Sequence, residues 1–197
     1  MRTTYPTNNW YVAASSGDLN GDGLLDLAAG GWFDAGIDVV FGQPDGSLAG
    51  PVHYPQGGGQ ALAIADIDGD GIADLVAPDL ASDSLLLYKS PLDGGIPAPS
   101  IIAIPISGGD VSGLVAADLN GDGLLDLVWT SQQSGGFLSN LGRGKFGSSL
   151  PLAVQGGAFG GIVVVDLNGD GHPDIAVNGS SLYLILSQLD GGYPRLR

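Results

Sequence analysis

Short apolar runs alternate along the chain with clusters of Gly, Asp and Asn, and the alternation repeats four times. The first run of each unit reads Tyr11-Val12-Ala13-Ala14, Ala61-Leu62-Ala63-Ile64-Ala65, Leu114-Val115-Ala116-Ala117 and Ile162-Val163-Val164-Val165. Runs this short and nearly continuous predict strands covered on both faces. A second strand is predicted at Leu25-Asp26-Leu27-Ala28, Ala73-Asp74-Leu75-Val76, Leu125-Asp126-Leu127-Val128 and Asp174-Ile175-Ala176-Val177. The third falls at Ile37-Asp38-Val39-Val40-Phe41, Leu85-Leu86-Leu87-Tyr88, a weaker Gly136-Phe137-Leu138, and Leu182-Tyr183-Leu184-Ile185-Leu186.

Turns close the third strands at Pro44-Asp45-Gly46, Leu92-Asp93-Gly94-Gly95, Gly142-Arg143-Gly144 and Leu189-Asp190-Gly191-Gly192. Asp-Gly readily takes the positive φ that a tight hairpin requires. A short fourth strand follows at Pro51-Val52-His53-Tyr54, Ser100-Ile101-Ile102-Ala103-Ile104 and Leu150-Pro151-Leu152-Ala153-Val154. Its fourth copy is expected at Thr3-Thr4-Tyr5-Pro6-Thr7, which stands ahead of the first loop much as Tyr54 stands ahead of the second.

Between first and second strands lies a nine-residue loop, with copies starting at Asp18, Asp66, Asp118 and Asp166, spaced by 48, 52 and 48 residues. Four short antiparallel strands in each unit of about fifty residues is the pattern of a β-propeller blade. The expected fold is all-β, a propeller of four four-stranded blades that is closed, partial or completed by oligomerisation. Residues 1–197 form one repeat array, with units near 3–48, 49–97, 98–148 and 149–197.

Composition narrows the function classes. A hydrophobic content of 44% can bury a core despite 35 Gly and 12 Pro, so the chain is not a disordered segment. All 21 acidic residues are Asp, against six Lys and Arg, and 13 of the 21 lie within the four loops. Asp is a turn former and a short, stiff oxygen ligand, and four divalent cations would neutralise about half of the net charge of −15. With so few cations, nucleic acid and anionic membranes are poor partners. No run of 18 apolar residues suggests a membrane span, and no signal peptide is expected ahead of Tyr5. Zero Cys excludes disulfides, thiol catalysis and cysteine zinc sites.

Each loop places oxygen side chains at positions one, three, five and nine and Gly at four and six. The four sets are Asp18, Asn20, Asp22 and Asp26; Asp66, Asp68, Asp70 and Asp74; Asp118, Asn120, Asp122 and Asp126; Asp166, Asn168, Asp170 and Asp174. Alternating side chains that converge from a glycine-bent loop suit a hard cation with six to eight oxygen ligands. Without one, carboxylates about 5 Å apart repel by roughly 1–3 kcal/mol per pair. A plain hairpin turn needs only its two central residues, so four copies with every ligand position filled favour metal. Zinc would call for His or Cys, and magnesium for fewer protein oxygens, which leaves calcium. An EF-hand would carry Glu at position twelve between helices. Here that position is Ala29, Ala77, Trp129 or Val177, and the flanks are strands.

On these loops, and on Phe41-Gly42 with a looser echo at Phe146-Gly147, the chain resembles the FG-GAP or VCBS-type repeats of the integrin α-subunit propeller and of many secreted proteins. The resemblance covers nearly the whole chain and departs in number, because rings of that family commonly have seven blades. It implies about four calcium ions, one per loop, held by the sixteen side chains above and the main-chain carbonyls of Leu24, Ile72, Leu124 and His172. It also implies an extracellular, non-catalytic module for adhesion or for carbohydrate or protein recognition. The alternatives are a propeller segment of a secreted polysaccharide-active enzyme and a scaffold fragment of a larger repeat protein. His53 and His172 lack a catalytic partner pattern, and Asp34, Asp38, Asp79, Asp83 and Asp110 read as turn residues. Trp10, Tyr11, Trp32, Phe33 and Trp129 are the rings available to a ligand, or to blade packing. An unclosed array would also associate through its exposed blades, for instance as a dimer that completes a ring.

Overall fold

A computed structural model describes residues 10–32, 36–79, 81–92, 97–104, 111–154, 160–187 and 193. Fifteen strands run in chain order among these residues. Blade 1 comprises β1 (Tyr11–Gly17), β2 (Asp26–Gly31), β3 (Ile37–Val40) and β4 (Val52–Tyr54). Blade 2 comprises β5 (Ala63–Ala65), β6 (Asp74–Asp79), β7 (Ser84–Tyr88) and β8 (Ser100–Ala103). Blade 3 comprises β9 (Val111–Ala117), β10 (Asp126–Ser131), β11 (Gly135–Leu138) and β12 (Leu150–Pro151), and blade 4 comprises β13 (Ile162–Val165), β14 (Asp174–Asn178) and β15 (Leu182–Ile185). Every sheet is an antiparallel meander in sequence order. The N-terminal segment expected as the outer strand of blade 4, and the turns at Asp93 and Asp190, lie outside the described residues.

Blades stack in chain order through their first strands, β1 on β5, β5 on β9 and β9 on β13. Among the described residues no comparable contact joins β13 back to β1, so the four blades form an open arc. Three hydrophobic cores fill the three blade junctions. Leu19, Ile37, Val39, Leu75 and Leu86 meet between blades 1 and 2, and Leu85, Leu87, Leu114 and Trp129 between blades 2 and 3. Val128, Phe137, Ile175, Val177 and Tyr193 meet between blades 3 and 4.

Burial on both faces is most extensive in blades 2 and 3, which have two neighbours, and extends to β3 of blade 1. β6, β7, β10 and β11 are buried almost throughout, whereas β1 and β13 alternate between half-buried and exposed positions. The expectation that all four first strands are covered on both faces therefore fails at β1 and β13, for which the described residues supply no second neighbouring blade. Blade 4 is the clearer case. Leu184 occupies the repeat position of Leu87, opposite the second strand, yet is 58% exposed where Leu87 is fully buried. Val163, Val165 and Leu182 are exposed on the same blade.

Candidate functional site

The four loops fold alike because the same backbone amides are gathered by the same carboxylates. In loop 1 the position-one Asp18 accepts from Gly21 N at 2.7 Å, Asp22 N at 3.2 Å and Gly23 N at 2.8 Å. Asp66, Asp118 and Asp166 accept the corresponding pairs of glycine amides. Gly21 and Gly23 reach φ +77° and +83°, values that a side chain would resist, and so turn their N–H groups inward. At position three, Asn20 Oδ1 accepts from Asp22 N at 3.0 Å, and Asp22 at position five accepts from Leu24 N at 2.8 Å.

Position nine is different in kind. Asp26, Asp74, Asp126 and Asp174 are fully buried, and each ties its loop to the following strands. Asp126 accepts from Leu119 N at 3.2 Å and from Asn140 N at 2.7 Å, while Asp26 accepts from Leu19 N and Gly42 N at 2.8 and 2.9 Å. Burial pushes the Asp74 and Asp126 carboxyls above the usual carboxylate range. In the open end blade the amide of Ser187 holds Asp174 below it, and the Gly171 amide does the same for Asp166.

In blade 2 the structure brings one carboxylate oxygen from each of Asp66, Asp68 and Asp74 within 4.8 Å of one another. A hard divalent cation fits that donor set, since three hard anionic oxygens converge without His or Cys. Blade 2 is the loop with Asp rather than Asn at position three. In the other three loops the Asn side chain donates its Nδ2 to the position-five carboxylate at 3.0 Å.

The loops are also locked by the blade that follows. Leu19 O accepts from Leu92 N at 2.7 Å and Ser90 Oγ at 3.0 Å, both from blade 2, and Ile67 O accepts from Asn140 Nδ2 of blade 3 at 2.8 Å. The position-two side chains Leu19, Ile67 and Leu119 are buried under the next blade, and each contributes on the order of 1.5–3 kcal/mol. Leu167, its counterpart in blade 4, is 48% exposed.

Of the other candidates, Trp129 is buried with its Nε1 donating to Ser149 Oγ at 3.1 Å, so it belongs to blade packing. Trp10 and Trp32 are exposed, and Phe33, Asp34 and Asp110 lie outside the described residues. Asp79 caps the turn after β6 through Ala81 N and Ser82 Oγ, and Asp83 lies in that turn, as expected. Asp38 is not a turn residue. It is buried within β3, held by His53 Nδ1 at 2.7 Å and by the Tyr11 hydroxyl. Cross-strand pairing of Asp38 with His53 creates that contact, and their separation of fifteen residues alone does not suggest it.

The FG-GAP-like repeat family matches residues 18–77 and 118–177, more than half of the chain, and the chain belongs to that family. No curated protein matches it. Among solved structures it is similar to an Agrocybe aegerita lectin that recognises non-reducing terminal N-acetylglucosamine, at 19% identity and TM-score 0.60 over 95% of this chain. It is also similar to the V. cholerae biofilm matrix protein Bap1, at 20% identity and TM-score 0.51 over 92% of this chain. The chain spans 53% of the lectin and 27% of the matrix protein. These likenesses establish the repeat β-propeller fold.

Proposed function

We propose that the protein is a calcium-stabilised, non-catalytic recognition module of the extracellular space, directed at a carbohydrate or protein ligand. The observation that carries this reading is the convergence of Asp66, Asp68 and Asp74 in a loop whose amide cage recurs in all four blades. In this reading the side chains at positions one, three, five and nine hold one calcium ion per loop, with the carbonyls of Leu24, Ile72, Leu124 and His172. The ion neutralises like charges that otherwise oppose loop closure, so it stabilises the fold and takes part in no reaction. The lectin and the matrix protein that share the fold support a binding role, and no described helix is long and apolar enough to cross a membrane. Association between copies through the uncovered faces of blades 1 and 4 belongs to the same proposal.

Extracellular calcium modules bind at about 0.1–1 mM, so chelation should strip the loops. A thermal melt with calcium at about 2 mM should lie several degrees above one in EDTA, with up to four ions per chain by elemental analysis. Coincident melting curves, in a sample shown to be free of metal, would remove calcium from the reading.

A further inference from the structure

Three of the six Lys and Arg lie among the described residues, and all three line one groove of about 750 Å³. Lys89, Arg143 and Lys145 meet there between β8 of blade 2 and the β11–β12 turn of blade 3. In a chain of net charge −15 this is a local inversion of sign.

The cations stand where the repeat is broken. The bridges Gly42–Leu48 and Asn140–Phe146 set the turns of blades 1 and 3 in register, so Arg143 replaces Asp45 and Lys145 replaces Ser47. In sequence the corresponding turns of blades 2 and 4 carry Asp93-Gly94 and Asp190-Gly191. Lys89 in turn occupies the position of Phe41, Ser139 and Leu186. Neither the turn nor the blade requires these charges, because the other copies fold without them.

Backbone geometry points the same way. Arg143 sits at φ +58°, a left-handed conformation that among the described residues is otherwise taken by glycine. Lys89 braces it, with Nζ donating to the Arg143 carbonyl at 2.8 Å and to Asp68 at 3.1 Å. Gly144 lies so close that an added Cβ would stand 3.0 Å from Lys89 Cε and 2.9 Å from Leu87 Cδ2. Lys89 is therefore a positioning residue. Arg143 and Lys145 are exposed, and neither is ion-paired among the described residues. Ile101 and Leu141, 73% and 67% exposed, add apolar surface to the groove.

We propose that this groove binds an oligosaccharide bearing carboxylate or sulfate groups, its acidic substituents meeting Arg143 and Lys145 and its ring faces lying on Ile101 and Leu141. A guanidinium pairs such groups through two parallel hydrogen bonds, and the apolar surface suits the C–H face of a sugar. Nucleic acid, with a charge about every 1.7 Å of duplex, would meet the surrounding acidic loops instead. The proposal deepens the recognition reading above and rests on it.

The test is calorimetry on the whole chain in about 1 mM calcium, with oligogalacturonate and chondroitin sulfate as acidic probes and a chitooligosaccharide as the neutral one. At least one acidic probe should bind, more weakly as salt rises from about 50 to about 300 mM. The paired change Arg143→Asp with Lys145→Ser, which restores the residues of blade 1, should weaken that binding by about tenfold or more and leave the melting temperature in place. Arg143→Asn, which keeps a residue tolerant of the left-handed backbone, should give part of the loss. Equal affinity in the paired variant overturns the proposal, as does the absence of binding to either acidic probe. Binding that EDTA abolishes but the variant leaves unchanged also overturns it, because the acid is then bridged by loop calcium. If the neutral probe alone binds, the groove is excluded and the recognition reading stands.

Discussion

At the scale of single residues, carboxylates of one chemical type do two jobs. Asp122 is exposed and serves its own loop through Leu124 N, whereas Asp126 is buried and satisfies Leu119 N and Asn140 N. Asp126→Ala leaves two amides without their acceptor and should cost about 2–4 kcal/mol even in EDTA, with the loss of a calcium ligand added to that in calcium. Asp122→Ala should lower the melting temperature in calcium and have little effect in EDTA, where no ion is held. Melting both variants in both buffers separates the roles, and equal losses from Asp122→Ala in the two buffers would remove it from the ligand set. The sequence showed both residues as loop oxygens of equal standing. Only burial tells them apart, and burial depends on which strands cover position nine.

At the scale of the element, each loop is one half of a joint whose other half is the blade that follows. Among the described residues loop 4 has no such cover, and Leu167 is exposed. A less braced loop must lose more conformational freedom on closing round an ion, so loop 4 is expected to be the weakest calcium site. Calorimetric titration should resolve a weak phase that Asp166→Ala deletes while the tighter phases remain. If Asp166→Ala removes a tight phase, bracing does not set affinity. Strands and loops were legible in the sequence because apolar runs and Asp-Gly clusters recur in phase. The lock between blades was not, since Leu92 and Leu19, or Asn140 and Ile67, are brought together from residues about seventy positions apart. The cationic groove was hidden for the same reason. Arg143 read as a member of a turn until blade 2 placed Lys89 beneath it.

At the scale of the whole molecule, the arc leaves an apolar face on blade 4 that includes Val163, Val165, Leu182 and Leu184. Equivalent faces inside the array are covered by the next blade, and a second copy offers blade 1 for the same purpose. Light scattering after size exclusion should show concentration-dependent association in calcium, with Val163→Asp plus Leu184→Asp shifting the protein to monomer without loss of folding. A monomer at all concentrations would mean that these side chains stay in water. The apolar pattern of Ile162 to Val165 announced a face that wants covering but carried no word on whether a neighbour exists.

The one-way lock makes the two ends of the array inequivalent. Removing blade 1 takes away a loop together with its own strands and leaves loops 2 and 3 under their covers. Removing blade 4 uncovers loop 3, strips Leu119 of the side chains that bury it, and passes the defect one repeat inward. Either cut exposes one junction core, but shortening the protein from its N-terminal side leaves every remaining loop covered as before, while shortening it from the other side also uncovers the next loop.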